Sequence, residues 1–372
     1  MKFCLALAAV LSLSGCSSLF VRSDDGALQN QKLQEERELQ AADNLNAQGQ
    51  LAGAQKLYQE FQKRYPQSVY FQASRLGEAL ALQGQGKWVE AVAIERDVYL
   101  KTKNLQPDIA ALAQYRMSFA YEALGDDQKT VASLLDAKNL GNALPKEVAW
   151  AEIPARLASV YSRLGQEKEA VQYLNEAEKG ITKIREEEST IPLRKGWLAK
   201  TYVQMGTAST NQLSVDNFES FVNGQKLVQV YLIKAMELDD AVWSPQALKQ
   251  LKGTYQDLSV QVEAVRSNRS QLEQLGGAFV ELINRAELYR PLAGQSKNSY
   301  QIEFFDLLAN IKTKTEKLLY QGQESMGLTE ESQKLNSLKR AGRVKVEELL
   351  PEEKASKTKE VPNPVPSEDP NL

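Results

Sequence analysis

The sequence predicts an all-α protein, a solenoid of helical hairpins followed by further α-helices, on three observations. Apolar residues recur at spacings of three and four, the period of a helix with one buried face. One layout returns along the chain: an apolar helix, a glycine-centred turn, a second helix carrying small residues, then a break. Histidine is absent from all 372 residues. That removes the commonest general base and an ordinary zinc ligand, and it turns the reading away from catalysis.

The first element is a targeting signature. Lys2 supplies a positive start, and Phe3 to Leu13 is an apolar run too short to span a membrane, which needs about 20 residues. Residues 1–15 therefore read as a removable signal peptide. The run ends in Leu13-Ser14-Gly15-Cys16, which resembles the bacterial lipobox. The resemblance implies cleavage before Cys16 and lipid on its sulfur. Ser17, with no Asp after the cysteine, implies by the enterobacterial sorting rule an outer-membrane anchor facing the periplasm. Each buried methylene contributes roughly 0.8 kcal/mol, and more than one chain makes attachment durable. Residues 16–32 then form a lipidated tether. Cys4 leaves with the signal and Cys16 is consumed by lipid, so no thiol remains for a disulfide, thiol catalysis or a metal.

Charge narrows the partners. Removing residues 1–15 takes away one Lys and no acid, leaving 44 basic against 48 acidic residues and a net charge of −4. Nucleic acid, which selects a strongly basic surface, is not expected as a partner. Without His there is no Ser-His-Asp triad, and the carboxylates are scattered over helical faces. Gly84-Gln85-Gly86-Lys87 has the look of a phosphate loop, but Trp88 stands where Ser or Thr is required and no strand precedes it. It reads as a helix–helix turn. No catalytic residue, metal, cofactor or small-molecule substrate is expected.

Residues 33–240 hold four to five copies of the repeated layout. The clearest spans 151–184, with Leu157, Ala158 and Tyr161 on the first helix, Gly165 in the turn, and Ala170, Leu174 and Ala177 on the second. Met117, Ser118, Tyr121, Gly125, Leu134 and Ala137 form another, with Thr130 where Ala is usual. Ala42, Leu45, Gly49, Ala54, Tyr58, Phe61 and Pro66 form a third. Leu76, Gly77, Leu80 and Ala91 fit only if their turn has one extra residue. A last copy begins with Leu198, Ala199, Tyr202 and Gly206, has a lengthened polar turn from Thr207 to Asp216, and returns from about Asn217 to Asp239. These segments resemble the tetratricopeptide repeat, a 34-residue helix-turn-helix whose copies stack into a solenoid. Small residues let the two helices approach and large ones fill the gaps, so the motif residues are packing residues.

From 241 to 350 the repeat fades and helices continue. Ser244-Pro245 reads as a helix start. Leu248, Leu251, Tyr255, Leu258, Val262 and Val265 make one apolar stripe, a face for intramolecular packing or a coiled-coil seam. Ser270 with Glu273 reads as a capping box opening a helix with Leu275, Phe279, Leu282 and Ala286 on its inner face and Pro291 at its close. Tyr300, Phe304, Leu307, Leu308, Ile311 and Leu318 mark another helix, and a shorter one is expected over about Glu330 to Leu338. The cluster Lys339, Arg340, Arg343 and Lys345 reads as a solvated helix end. Residues 351–372, rich in Pro, Glu, Lys and Ser, form a tail too polar to offset the entropy of ordering.

In tetratricopeptide folds the first helix of each hairpin lines the concave face. By that resemblance Phe71, Leu112, Tyr115, Phe119, Glu122, Arg163 and Lys200 lie near the groove. Leu112, Tyr115 and Phe119 share one helical face and would offer an apolar patch to a peptide or partner helix. The competing reading is that the C-terminal helices fill the groove and leave these residues as core. The function implied is a membrane-anchored scaffold for other envelope proteins or peptides, with regulation of a cell-wall synthase or hydrolase as the alternative. It resembles the repeat-containing lipoproteins of envelope machines, a likeness of architecture that does not by itself transfer function.

Overall fold

The computed structural model describes residues 25–187, 193–208, 217–291 and 298–324. The expected signal peptide, Cys16, the tether up to Asp24, the helix about Glu330 to Leu338, the basic cluster from Lys339 and the tail lie outside these residues. Among the described residues there are 13 α-helices and no strand. They pair in sequence: α1 (Asp25–Ala47) with α2 (Leu51–Arg64), α3 (Phe71–Gly84) with α4 (Trp88–Thr102), and α5 (Pro107–Ala123) with α6 (Asp127–Asn139). Next come α7 (Ile153–Arg163) with α8 (Glu167–Glu187) and α9 (Lys195–Gly206) with α10 (Phe218–Glu237), and then α11 (Trp243–Ala264) and α12 (Arg269–Glu287), which both pack chiefly on α10. A last helix, α13 (Ser299–Glu324), follows. The fold is the expected helical-hairpin solenoid of tetratricopeptide type. Each hairpin packs on the next, and α11 continues the stack against α9 and α10.

The glycine turns have a backbone cause. Gly49, Gly86, Gly125 and Gly165 centre three-residue turns in the first four hairpins, with φ between +72° and +76°. In each, the glycine N–H returns to the carbonyl three residues back and the next N–H to the carbonyl five back. In the fourth turn these are Gly165 to Ser162 at 3.0 Å and Gln166 to Tyr161 at 2.9 Å. The pair satisfies carbonyls that a helix end would otherwise leave open, and it needs a left-handed residue at its centre.

This regularity corrects the second hairpin. Its turn has no extra residue. Ala79, buried completely and seven residues before Gly86, takes the small-residue position that Ala42, Ser118 and Ala158 take before their own turns. Gly77 instead gives room to Tyr58 of α2, whose ring a Cβ at 77 would overlap.

Two helix starts also differ from expectation. The α11 helix begins at Trp243, where Asp240 Oδ1 accepts from the N–H groups of Val242 (3.0 Å) and Trp243 (2.9 Å). A carboxylate meets those donors with charge, so the buried Ser244 hydroxyl is free to donate to the Ala235 carbonyl at 2.7 Å and tie α11 to α10. Asn268, rather than Ser270, caps α12, its Oδ1 accepting from Gln271 N–H. Glu273 pairs with Arg269.

A π-helical turn, Val148–Glu152, leads into α7. Gly180 of α8 packs directly on it: a Cβ there would stand 1.9 Å from the Trp150 carbonyl oxygen. The apolar interior is uneven. From α7 to α13 it is one continuous core, including Leu174, Tyr202, Phe218, Tyr255, Phe279 and Phe304. The first two hairpins use small separate clusters, such as Ala42, Ala54, Tyr58 and Ala81, and the third shares a cluster with α7 through Tyr115, Leu134, Ile153 and Leu157. The Leu248–Val265 stripe is spent inside the C-terminal core, which settles it as intramolecular packing.

Candidate protein-interaction face

The residues expected at the groove sit on the first helices α3, α5, α7 and α9, and most of them converge. Tyr115 of α5 is buried, and its hydroxyl donates to Glu152 Oε1 at 2.5 Å. Lys200 of α9 is also buried and donates to the same oxygen at 2.5 Å. Phe119, half-buried one turn beyond Tyr115, meets that ring edge-on with centroids 5.1 Å apart. The Arg156 guanidinium of α7 lies over the Phe119 ring at 3.6 Å, and the Lys200 ammonium stands 5.4 Å from it. Arg156 also donates to Ser118 Oγ (2.5 Å) and to Glu122 Oε2 (2.8 Å). Arg163, at the exposed end of α7, binds Glu122 Oε1 at 3.0 Å and Asp127 Oδ1 at 2.6 Å.

This geometry corrects the expectation of an open apolar patch. Tyr115 and Lys200 are interior, and Phe119 is covered by cations from α7 and α9. Leu112 packs half-buried between the second and third hairpins, against the cluster of Leu76, Val98 and Ala113. Phe71 opens α3, half-buried, and does not join the cluster. The C-terminal helices reach elsewhere: Asn298 binds the Met236 carbonyl, Arg290 that of Phe305 and Arg269 that of Leu319. What faces outward around Phe119 is a mixed-sign polar rim of Glu122, Asp127 and Arg163, whose side chains are 35%, 24% and 32% exposed.

Burial and pairing set the ionisation of this cluster. Burial pushes the Glu152 carboxyl up, but the Lys200 charge and the hydrogen bonds from Lys200 and Tyr115 outweigh it and hold the group below the ordinary carboxylate value. Burial and the neighbouring Glu152 charge raise the Tyr115 phenol well above its usual range. Burial likewise opposes ionisation of Glu122, and the Arg156 and Arg163 guanidiniums bring it back below the ordinary value. Both carboxylates are thus ionised at neutral pH, each beside a cation that compensates it. Reading the sequence by repeats missed Glu152, Arg156 and Asp127. Arg156 had a legible signal: it interrupts Ile153-Pro154-Ala155 and Leu157-Ala158 on the most uniformly buried helix of the chain. Among the described residues, no group of three or more Asp, Glu or Cys side chains is placed to hold a metal ion.

No curated protein sequence matches the chain. Among solved structures it is similar to the nearly identical TPR-like repeats of a Podosopora anserina putative kinesin light chain, at 20% identity over 55% of this chain and 97% of that one, TM-score 0.40. It is also similar to the TPR2AB domain of yeast Sti1 in complex with pHSP90, at 14% identity over 78% and 98%, TM-score 0.26. A TPR repeats protein of Bacteroides fragilis shows 15% identity over 76% and 98%, TM-score 0.25. Over residues 38–68, the last part of α1 with α2, the chain matches the tetratricopeptide repeat family.

Proposed function

We propose that the chain is a protein-binding scaffold of the bacterial envelope, held by lipid on Cys16 at the periplasmic face of the outer membrane. The observation that supports binding is the rim around Phe119. Three charged side chains from α5, α6 and α7 stand part-exposed on a base fixed by buried ion pairs. Such a base holds a surface in one shape before a partner arrives, which lowers the ordering cost of association. The mixed charge suits a polar protein surface or peptide with both signs, and it gives no reason to expect nucleic acid.

The anchor and the docking face are tested separately. Cells fed labelled palmitate are expected to label the wild-type chain and not Cys16→Ala, and the label is expected in the outer-membrane fraction. Equal labelling of both chains would remove the anchor from the reading. Charge reversal at Arg163 (Arg163→Glu) is expected to weaken partner association at least tenfold while leaving the helical content unchanged. An unchanged affinity would move the docking face away from this rim.

A further inference from the structure

A second buried carboxylate lies on the seam between the second and third hairpins, and its surroundings differ from those of Glu152. Glu95 of α4 is wholly inaccessible. Its Oε1 accepts a hydrogen bond from Gln83 Nε2 at 2.8 Å, and its buried Oε2 has no hydrogen-bond partner. Gln83 also donates to the Arg116 carbonyl at 3.1 Å, so the Glu95–Gln83 pair clamps the second hairpin to α5. The charged groups around it are few. From α5, Arg116 faces Glu95, but its guanidinium also faces Tyr58 and Asp43 of the first hairpin and reaches the Leu76 carbonyl. On α3, Arg75 is engaged with Asp97 and Glu78 with Gln59 and Gln62. Arg96, on α4 itself, is turned to Tyr121. Among the described residues, no ion pair compensates Glu95 as Lys200 compensates Glu152.

We propose that this seam is a pH-sensitive joint: Glu95 closes it as the neutral acid, and loss of its proton places an uncompensated charge inside the solenoid that loosens α4 from α5. A buried carboxylate with one neutral donor costs far more to ionise than the same group in water. Burial pushes the Glu95 carboxyl up to about 8, against which the more distant Arg116 charge pulls only in part. The sign follows. The folded chain holds the proton more tightly than the unfolded chain, so the contribution is complete below the unfolded value of 4.5, declines as pH rises, and is lost by the folded value near 8. A chain without histidine has few other groups that titrate in this window.

Two measurements on the full chain test the joint. Unfolding of the wild type at pH 6.5, followed calorimetrically in buffers of different ionisation heat, is expected to release about one proton from Glu95; no release overturns the proposal without needing any variant. Amide exchange is then compared between wild type and Glu95→Gln at the same pH. At pH 9 the α3–α5 amides of the wild type are expected to exchange at least tenfold faster than those of the variant, with α9–α12 unchanged and the two proteins alike at pH 6. Equal exchange at pH 9 overturns the joint. If Glu95→Gln does not fold, Glu95→Leu serves, since it too removes the titrating group.

Discussion

Glu152 accepts hydrogen bonds from Tyr115 and Lys200 at one oxygen, so a single carboxylate joins the first helices of the third, fourth and fifth hairpins. Removing one member leaves the other charge buried without compensation, which costs about 3–5 kcal/mol, whereas replacing both with apolar groups is far milder. Lys200→Met is therefore expected to lower the urea-unfolding free energy by that amount, and Glu152→Leu with Lys200→Met to recover most of it. Simple additivity of the two substitutions would show that the pair is not coupled. The pH dependence has the opposite sign to that at Glu95. The folded value lies below the unfolded 4.5, so the pair's stabilisation is present above about 4.5 and lost as pH falls through the folded value. Acid titration of the wild type is expected to be steeper than that of Glu152→Gln. Phe119, Glu122 and Lys200 were legible as neighbours because repeat register places the first helices side by side. Their state was not: whether a lysine lines a groove or enters a core depends on the carboxylate it meets 48 residues away.

The hairpin turns were legible, since a glycine at a fixed offset from small residues is a backbone requirement written directly in the chain. The second hairpin was misread because Gly77 resembled the small motif position, and only packing against Tyr58 shows its separate purpose. Nothing stands within 4 Å of where a Cβ would be at Gly125 or Gly165, so the cost of alanine there is conformational. It should be about 1–2 kcal/mol per site by denaturant melts, with asparagine costing less. Gly253, inside α11 with the same open space, predicts the reverse: alanine stabilises by up to about 1 kcal/mol. Gly180→Ala should be the most damaging of the four, because its Cβ would strike the Trp150 backbone and push the π-helical turn that presents Glu152. The π-turn left no readable mark, because its sequence, Val-Ala-Trp-Ala-Glu, suits an ordinary helix equally well.

At the scale of the molecule the two ends of the solenoid are held differently. A continuous core with five buried phenylalanines joins α7 to α13, while the first two hairpins rest on small clusters and polar clamps and the third shares its core with α7. Repeat arrays open locally according to such interfaces. Hydrogen exchange is expected to protect α10–α12 most and α1–α4 least; uniform protection along the chain would contradict this. The arrangement of α11 and α12 was not legible as a repeat, because each packs chiefly on α10 rather than on the other. The apolar stripe showed the helix but not its partner. The rim at the third and fourth hairpins is proposed to receive another envelope protein. Its most direct test is a photo-crosslinking amino acid placed at position 163 of the full chain in its native host, with position 69, exposed at the end of the first hairpin, as control. A discrete crosslinked protein is expected from 163 and not from 69. Crosslinks from 163 only to the chain's own C-terminal residues, or the same products from both positions, would contradict it.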